Sequence, residues 1–416
     1  MNFLIKNAKG SIWYALGKIM FALSWMLMLA MVSRTSDVQV TGEFALAYTI
    51  ASLLYFVGLF GVNHYQMLDY QKKYNFGSYF YAKLLSSGLM LLFCAVLLLI
   101  LPHTFERKMY MMLLTVYMMV NSFSELYQSL FFRENNFARC GQSMFFRTLI
   151  SVVVFAVLTY STNNIAISIA GIVFANLAAT FVLSVLPSKN LVSANDYLDS
   201  KGTFSVLRES FPICVTMFFS SFLLNCSKYV IDYLGDSTMQ GFYSIVFVPV
   251  QAINLLSYIV FLPALNQYAR YIEKGQKREF YRMIVSHSSI IAAITVTSVI
   301  VSYFFGADLL RIVFNVELTQ YVAEIVITVI GGGFFALSTL LYCLIIVLHE
   351  QKKMSFCYII FSVFSIIISL AAINFIGITG AAVSFMLAHL LLCIALAILI
   401  LRCVRSNMQK VPMKTE

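Results

Sequence analysis

About twelve apolar stretches of membrane-spanning length follow one another along this 416-residue chain, separated by short polar connections. Roughly 20 apolar residues suffice to cross a hydrocarbon layer as a helix. The stretches read as 11–32, 43–63, 78–101, 109–131, 145–162, 165–186, 210–232, 239–263, 284–305, 321–347, 353–376 and 380–401. Hydrocarbon offers no water to satisfy backbone N–H and C=O groups, so such segments are helices. Barrel strands would be shorter and would alternate with polar residues. Composition agrees, with 61% hydrophobic and 11% charged residues against about 25% charged in soluble domains. The expectation is an all-α polytopic membrane protein. The first stretch is of full spanning length and no small-residue cleavage site follows it, so it is expected to stay as a helix rather than leave as a signal peptide.

The net charge of +10 is spread over short clusters between apolar runs. No hydrophilic domain is large enough to form a nucleic-acid groove, so the charge reads as a topology signal. With both termini cytoplasmic, the inside segments hold Lys6 and Lys9; Lys72 and Lys73; Arg133, Arg139 and Arg147; Lys189, Lys201 and Arg208; Arg270, Lys274, Lys277, Arg278 and Arg282; Lys352 and Lys353; and Arg402, Arg405, Lys410 and Lys414. The outside loops hold Arg34, Arg107, Lys108 and Arg311, while Lys18, Lys83 and Lys228 lie within helices. A 21 to 4 bias sustained through every loop supports both the orientation and the count of twelve, since one missed helix would scramble it.

The longest connection, 187–209, is polar and divides the chain into six-helix halves at 1–186 and 210–401, with a basic cytoplasmic tail at 402–416. An internal echo supports a duplicated bundle. Gly42-Glu43-Phe44 and Asn63-His64-Tyr65 flank the second stretch, as Gly241-Phe242-Tyr243 and Asn266-Gln267-Tyr268 flank the eighth. Two six-helix bundles around a central cavity, with a site near the midplane, is a common transporter plan.

Ionisable and polar groups inside the stretches are the candidates for function, because burying them in a membrane is costly. Lys18 lies about two turns into the first helix, where it either faces a lumen or snorkels to the cytoplasmic face. Glu125 recurs with Asn121, Ser122, Gln128 and Ser129 at helical spacing, which places the stripe in a wet cavity or in an interhelical hydrogen-bond seam. Ser221, Asn225, Lys228 and Asp232 form a second stripe, in which Lys228 and Asp232 stand one turn apart and can pair; a solvated helix end is the alternative. Gln251, Asn254 and Tyr258 form a milder stripe suited to packing. Pro212, Pro249, Pro263 and Gly331-Gly332-Gly333 mark points where helices seven, eight and ten could bend.

Catalytic and cofactor motifs are missing from the pattern. His64, His103, His287 and His349 stand at helix ends and His389 stands alone in the last helix, so no HExxH or His cluster forms. There is no GxxxxGK[ST] sequence, and the eight cysteines, scattered through apolar runs and basic flanks, make neither a CxxC metal site nor a disulfide framework. No cofactor or metal is expected. The short outer loops favour carriage over chemistry.

Several segments carry a family likeness: Gly42-Glu43-Phe44-Ala45-Leu46-Ala47, Glu209-Ser210-Phe211-Pro212, and Asn225-Cys226-Ser227-Lys228-Tyr229-Val230-Ile231 followed by Leu234-Gly235-Asp236 and Gly241-Phe242-Tyr243-Ser244. Gly377-Ile378-Thr379-Gly380-Ala381-Ala382-Val383 completes the set. In this order and spacing the chain resembles the multidrug/oligosaccharidyl-lipid/polysaccharide exporter superfamily, nearest to its polysaccharide branch, the Wzx-type O-antigen and repeat-unit flippases. Where many relatives have Asp-Arg after the Asn of the seventh helix, this chain has Ser227-Lys228, which keeps the cation and loses the carboxylate.

The resemblance implies translocation of an undecaprenyl-pyrophosphate-linked oligosaccharide, such as the O-antigen unit of lipopolysaccharide, across a bacterial inner membrane. The implied partners are that lipid-linked oligosaccharide, membrane lipids and polysaccharide polymerase machinery, with no nucleic acid. Lys18 and Lys228 are the expected head-group contacts. The competing readings are a drug/cation antiporter of the same superfamily, for which Glu125 could couple the ion, a membrane-embedded glycan-assembly enzyme, and a structural membrane subunit.

Overall fold

Polar residues at the ends of apolar runs set where the helices begin. Asp37 ends the first helix, α1 (Asn2–Thr35), and caps the second, α2 (Val38–Leu59), by accepting from the Val40 N–H at 2.8 Å. Phe60 and Gly61 then adopt left-handed backbone and release the chain into a short α3 (Val62–Leu68). The remaining helices of the first part are α4 (Phe76–Ile100), α5 (Phe105–Arg133), α6 (Phe137–Thr162) and α7 (Ile165–Thr180). Thr104, Asn136 and Asn164 cap α5, α6 and α7 in the same way as Asp37. A π-turn over Phe181–Val185 prolongs α7 to Ser188.

Next come α8 (Thr203–Tyr233), α9 (Ser237–Val246), α10 (Val248–Phe261), α11 (Leu265–Glu273), α12 (Lys277–Phe314), α13 (Val322–Val347) and α14 (Gln351–Asn407). This computed structural model describes residues 2–69, 71–189, 191–193, 196–197, 199–261, 264–348 and 350–407; side chains are described from Gly10 to Val404. Pro263, His349, Lys410 and Lys414 lie outside the described residues, as do the side chains of Lys6, Lys9 and Arg405.

Ten of these segments are long and apolar enough to span a membrane. The last of them, α14, holds two spans merged across a kink at Ile376 and Gly377. Gly377 has φ 58° and ψ −132°, a conformation that a residue with a Cβ adopts only under strain. The eleventh and twelfth spans are therefore two helices meeting at a kink, as the sequence suggests. The fourth expected span corresponds to α5, which is of ample length but carries the Glu125 stripe and so falls short on hydropathy alone. Among the described residues these segments account for the twelve expected spans.

Several boundaries differ from those read from hydropathy, because helices continue into water beyond the apolar run. The fifth span starts at Phe137, not 145, and the seventh at Thr203, not 210. The eighth is broken at Phe247, two residues before Pro249, which has no N–H to give the Ile245 carbonyl and whose ring crowds it.

The chain divides into two compact units, Met1–Phe218 and Phe219–Glu416, and the division falls inside α8. In unit 1, α1 runs against α6 along a seam of small residues. A Cβ on Gly141 would lie 2.2 Å from the backbone of Trp13, so only glycine permits this approach. The first turns of α8 are fastened to unit 1 by Glu209, which accepts from Lys73 Nζ at 2.8 Å, from the Tyr74 hydroxyl at 3.0 Å and from the Tyr65 hydroxyl. The carboxylate beside Lys73 holds its ammonium above the ordinary lysine range, while desolvation and Glu209 push the Tyr65 hydroxyl up to about 12. Both values are raised, so the clamp is intact at neutral pH and weakens as pH rises through them. In unit 2, α13 packs along α14, α12 and α10, and an apolar cluster joins Cys226 and Val230 of α8 to Tyr243, Phe247 and Phe385.

The charge bias yields an expected topology. Reporter fusions after Lys73, Lys201 and Lys277 should read cytoplasm, and fusions at Asp37 and Asp236 the outside. Asp308, which hydropathy places in a loop, lies within α12, so the outer fusion on that connection belongs at Asn315, where left-handed backbone ends the helix. An outside signal from Lys201 would overturn the two-half arrangement.

Candidate functional site

The polar stripe of α5 is the centre of a buried network in unit 1. Glu125 is 8% exposed. Its carboxylate accepts from the Tyr55 hydroxyl of α2 at 2.7 Å and from Asn63 Nδ2 of α3 at 2.6 Å. Lys18 of α1 and Lys83 of α4 both lie close enough to Glu125 for direct Coulombic attraction. Lys18 is partly buried, with Nζ 5.8 Å from the centroid of the Tyr14 ring.

Lys83 is fully buried, at 0% exposure. Its ammonium donates to the carbonyls of Gly58 and Leu59 at 3.2 and 3.3 Å and to Ser122 Oγ at 3.1 Å. Those carbonyls are the open C-terminal groups of α2, where a cation is favoured by the helix dipole. Ser86 and Ser122 also donate to the Gly58 carbonyl, at 2.8 and 2.9 Å.

Arg147 of α6, 1% exposed, is the third cation of the network. Its Nη1 donates to the side-chain oxygens of Asn121 on α5 and, at 2.9 Å, Asn176 on α7; Asn176 Nδ2 in turn donates to Asn121 Oδ1 at 3.0 Å. No carboxylate pairs with Arg147 among the described residues. Its two partners are neutral amides.

Hydropathy assigned Arg147 to a cytoplasmic flank because the fifth span was begun at 145. The helix starts eight residues earlier, and Arg147 is interior. The recoverable signal was Arg147-Thr148 with Ser151, a polar patch at helical spacing, together with a lone Asn176 in an apolar helix. The sequence places Lys83 within its helix, but nothing in it says what surrounds that lysine.

In unit 2 the sequence candidates share α8. Lys228 is 3% exposed and its Nζ stands 4.3 Å from the centroid of the Phe247 ring, a cation–π contact. Asn225 donates to the Ser221 carbonyl of its own helix at 3.1 Å. Asp232 is partly buried near the C-terminal end of α8. Next to Lys228, Ser227 meets Ser384 Oγ at 3.0 Å and donates to the Ala381 carbonyl at 3.1 Å.

Glu324, in the first turn of α13, is a further buried carboxylate that hydropathy passed over as a helix flank. It accepts from the Thr379 hydroxyl, just past the Gly377 kink. His389 stacks among Phe335 and Phe385 and faces its own helix carbonyl at 3.1 Å. Asn254 of the milder stripe accepts from Thr339 at 3.0 Å, a packing role.

The structure thus brings Lys18 and Glu125 together within unit 1 and keeps Asn225, Lys228 and Asp232 together in unit 2. Each unit carries its own buried cation.

Solved structures of transporters share this fold. A multidrug resistance MATE family transporter of the MOP superfamily in its inward-facing conformation matches with a TM-score of 0.72 at 12% identity, over 94% of this chain and 96% of that one. The outward-facing conformation of such a transporter matches with a TM-score of 0.65 at 11% identity, over 98% and 97%. The Vibrio cholerae MATE transporter VcmN in the bent form gives 0.61 at 12% identity, over 97% of each chain. The fold is that of the MOP superfamily transporters, a multi-pass membrane protein built of two helical bundles. No curated protein sequence matches the chain. A family model described as polysaccharide biosynthesis protein matches residues 7–268, well over half of the length, and the chain belongs to that family.

Proposed function

We propose that this protein is a flippase that carries an undecaprenyl-pyrophosphate-linked oligosaccharide, an O-antigen or similar repeat unit, from the inner to the outer leaflet of the bacterial inner membrane by alternating access. One observation carries the reading. Within the unit 1 network, three cations (Lys18, Lys83 and Arg147) surround a single carboxylate, Glu125. A membrane interior rich in cationic side chains suits an anionic cargo, because phosphate oxygens accept charge-assisted hydrogen bonds from such groups. A cationic drug would meet repulsion there. Lys228 supplies the matching cation of unit 2.

The sugars and diphosphate occupy the polar interior while the prenyl chain stays in lipid, since neither head-group component crosses hydrocarbon unaided. The work is translocation, with no bond made or broken in the cargo. Membership of the polysaccharide biosynthesis family supports the same cargo class, and a polysaccharide polymerase is the natural recipient of the delivered unit.

A drug/cation antiporter is the second reading, favoured by the buried Glu125 carboxylate and by the MATE structures. Reconstitution separates the two. Proteoliposomes loaded with the lipid-linked oligosaccharide on one leaflet should expose the sugar to an impermeant lectin on the other, and an organic cation such as ethidium should not move. Ethidium transport without movement of the sugar would replace this proposal with the antiporter.

A further inference from the structure

We propose that the polar face of α11, in unit 2, is a binding site for the phosphate of an anionic phospholipid of the inner leaflet. The site is separate from the cargo network, and the proposal does not depend on what the cargo is. It rests on three observations about one short segment.

The first is a built cleft. Asn266, Gln267, Arg270, Tyr271, Lys274 and Gln276 line an open depression of about 430 Å3, within the range of small-ligand sites. Every one of these side chains carries a polar group. Amide, guanidinium and ammonium donors together suit phosphate oxygens.

The second is unpaired like charge. Arg270 and Lys274 stand four residues apart at the C-terminal end of α11, a like-charge pair on one face whose members repel each other. Neither forms an ion pair among the described residues, and neither do Lys277, Arg278 and Arg282 just beyond, although Glu273 and Glu279 lie in the same stretch. An anion in the cleft resolves the repulsion.

The third is the mounting of the helix. Tyr268 is fully buried, its ring edge-on to Phe280 at 5.6 Å and its hydroxyl 2.9 Å from His287 Nδ1. Both partners belong to α12, so the cleft is held at the end of a spanning helix. Leu265 and Ile272, which flank Tyr268 on the same face, are partly buried. A short amphipathic helix whose apolar side packs on the end of a spanning helix and whose basic side is exposed suits the headgroup layer, and the Lys/Arg bias puts this connection on the cytoplasmic side. That placement favours a lipid headgroup over free phosphate.

The test measures lipid binding, not transport. Full-length protein is purified in detergent and titrated with fluorescent phosphatidylglycerol against a phosphatidylcholine background. A cation near a membrane surface contributes about fivefold in affinity for anionic lipid. The double variant R270Q/K274Q should therefore bind phosphatidylglycerol more than tenfold more weakly than the wild type. R278Q/R282Q removes the same charge outside the cleft and should lose less than about threefold. The altered side chains are exposed, so folding is preserved, and an unchanged melting temperature checks this.

An equal loss in both double variants would mean a diffuse surface potential and would overturn the site. Undiminished binding by R270Q/K274Q would do the same. Inorganic pyrophosphate is the second probe. If it binds the cleft as tightly as phosphatidylglycerol does, the assignment to a lipid fails.

Discussion

Glu125→Ala is expected to lower the amount of correctly inserted protein sharply, because it removes the carboxylate that attracts Lys18 and Lys83. Removing one partner of a buried charge network costs about 3 to 5 kcal/mol, a large part of the total stability of an ordinary protein. The loss should be largely relieved in Glu125→Ala/Lys83→Met, which restores the balance of charge. Glu125→Gln is the more informative change. Tyr55 can still donate to the amide oxygen, and Asn63, whose Oδ1 is buried without a partner, can turn its amide to accept from the new Nε2. The hydrogen bonds survive and only the charge is lost.

Glu125→Gln should therefore insert normally while transport falls. The measurement is surface glycan per unit of inserted protein, beside thermal unfolding of the purified variants. Normal glycan in Glu125→Gln at normal protein level would leave Glu125 a packing residue. Equal instability of the single Ala variant and the double variant would remove the charge-balance argument.

Lys228→Glu and Lys18→Glu are expected to abolish surface polysaccharide. The two lysines occupy the first spanning helix of each half, α1 and α8. A cation beside a diphosphate makes charge-assisted hydrogen bonds worth about 1.5 to 3 kcal/mol each, so losing one lowers affinity by roughly one to two orders of magnitude. Ala should show that loss. Arg should keep part of the activity, since the charge remains while the head differs in shape. Glu should be worst, and at position 228 it would also set an anion against the negative face of the Phe247 ring. The readout is again glycan per inserted protein for Arg, Ala and Glu at each position. Normal glycan from all three variants at both positions would make these lysines anchors and move the head-group site elsewhere.

The membrane class, the number of spans and the two-bundle fold were legible in the chain because they follow from one-dimensional quantities. Twenty apolar residues in a row have a single outcome in hydrocarbon, and Lys and Arg mark each connection in turn. The Glu125 stripe was also legible, since polar residues three and four apart share a helix face wherever that helix sits.

The identity of the stripe's partners was not in the sequence. Lys83 reads as one more residue near a helix end until the fold sets its ammonium against the open carbonyls of α2. Arg147 reads as a basic flank until α6 is seen to begin eight residues earlier. Glu324 is a helix-start carboxylate until α14 bends at Gly377 and brings Thr379 to it. In each case the decisive contact joins one helix to another. Hydropathy reports how much of a segment is apolar but not which of its faces meets another helix. The charge of a membrane interior, three cations about one carboxylate, depends on those faces, and only the tertiary packing that removed water from them decided it.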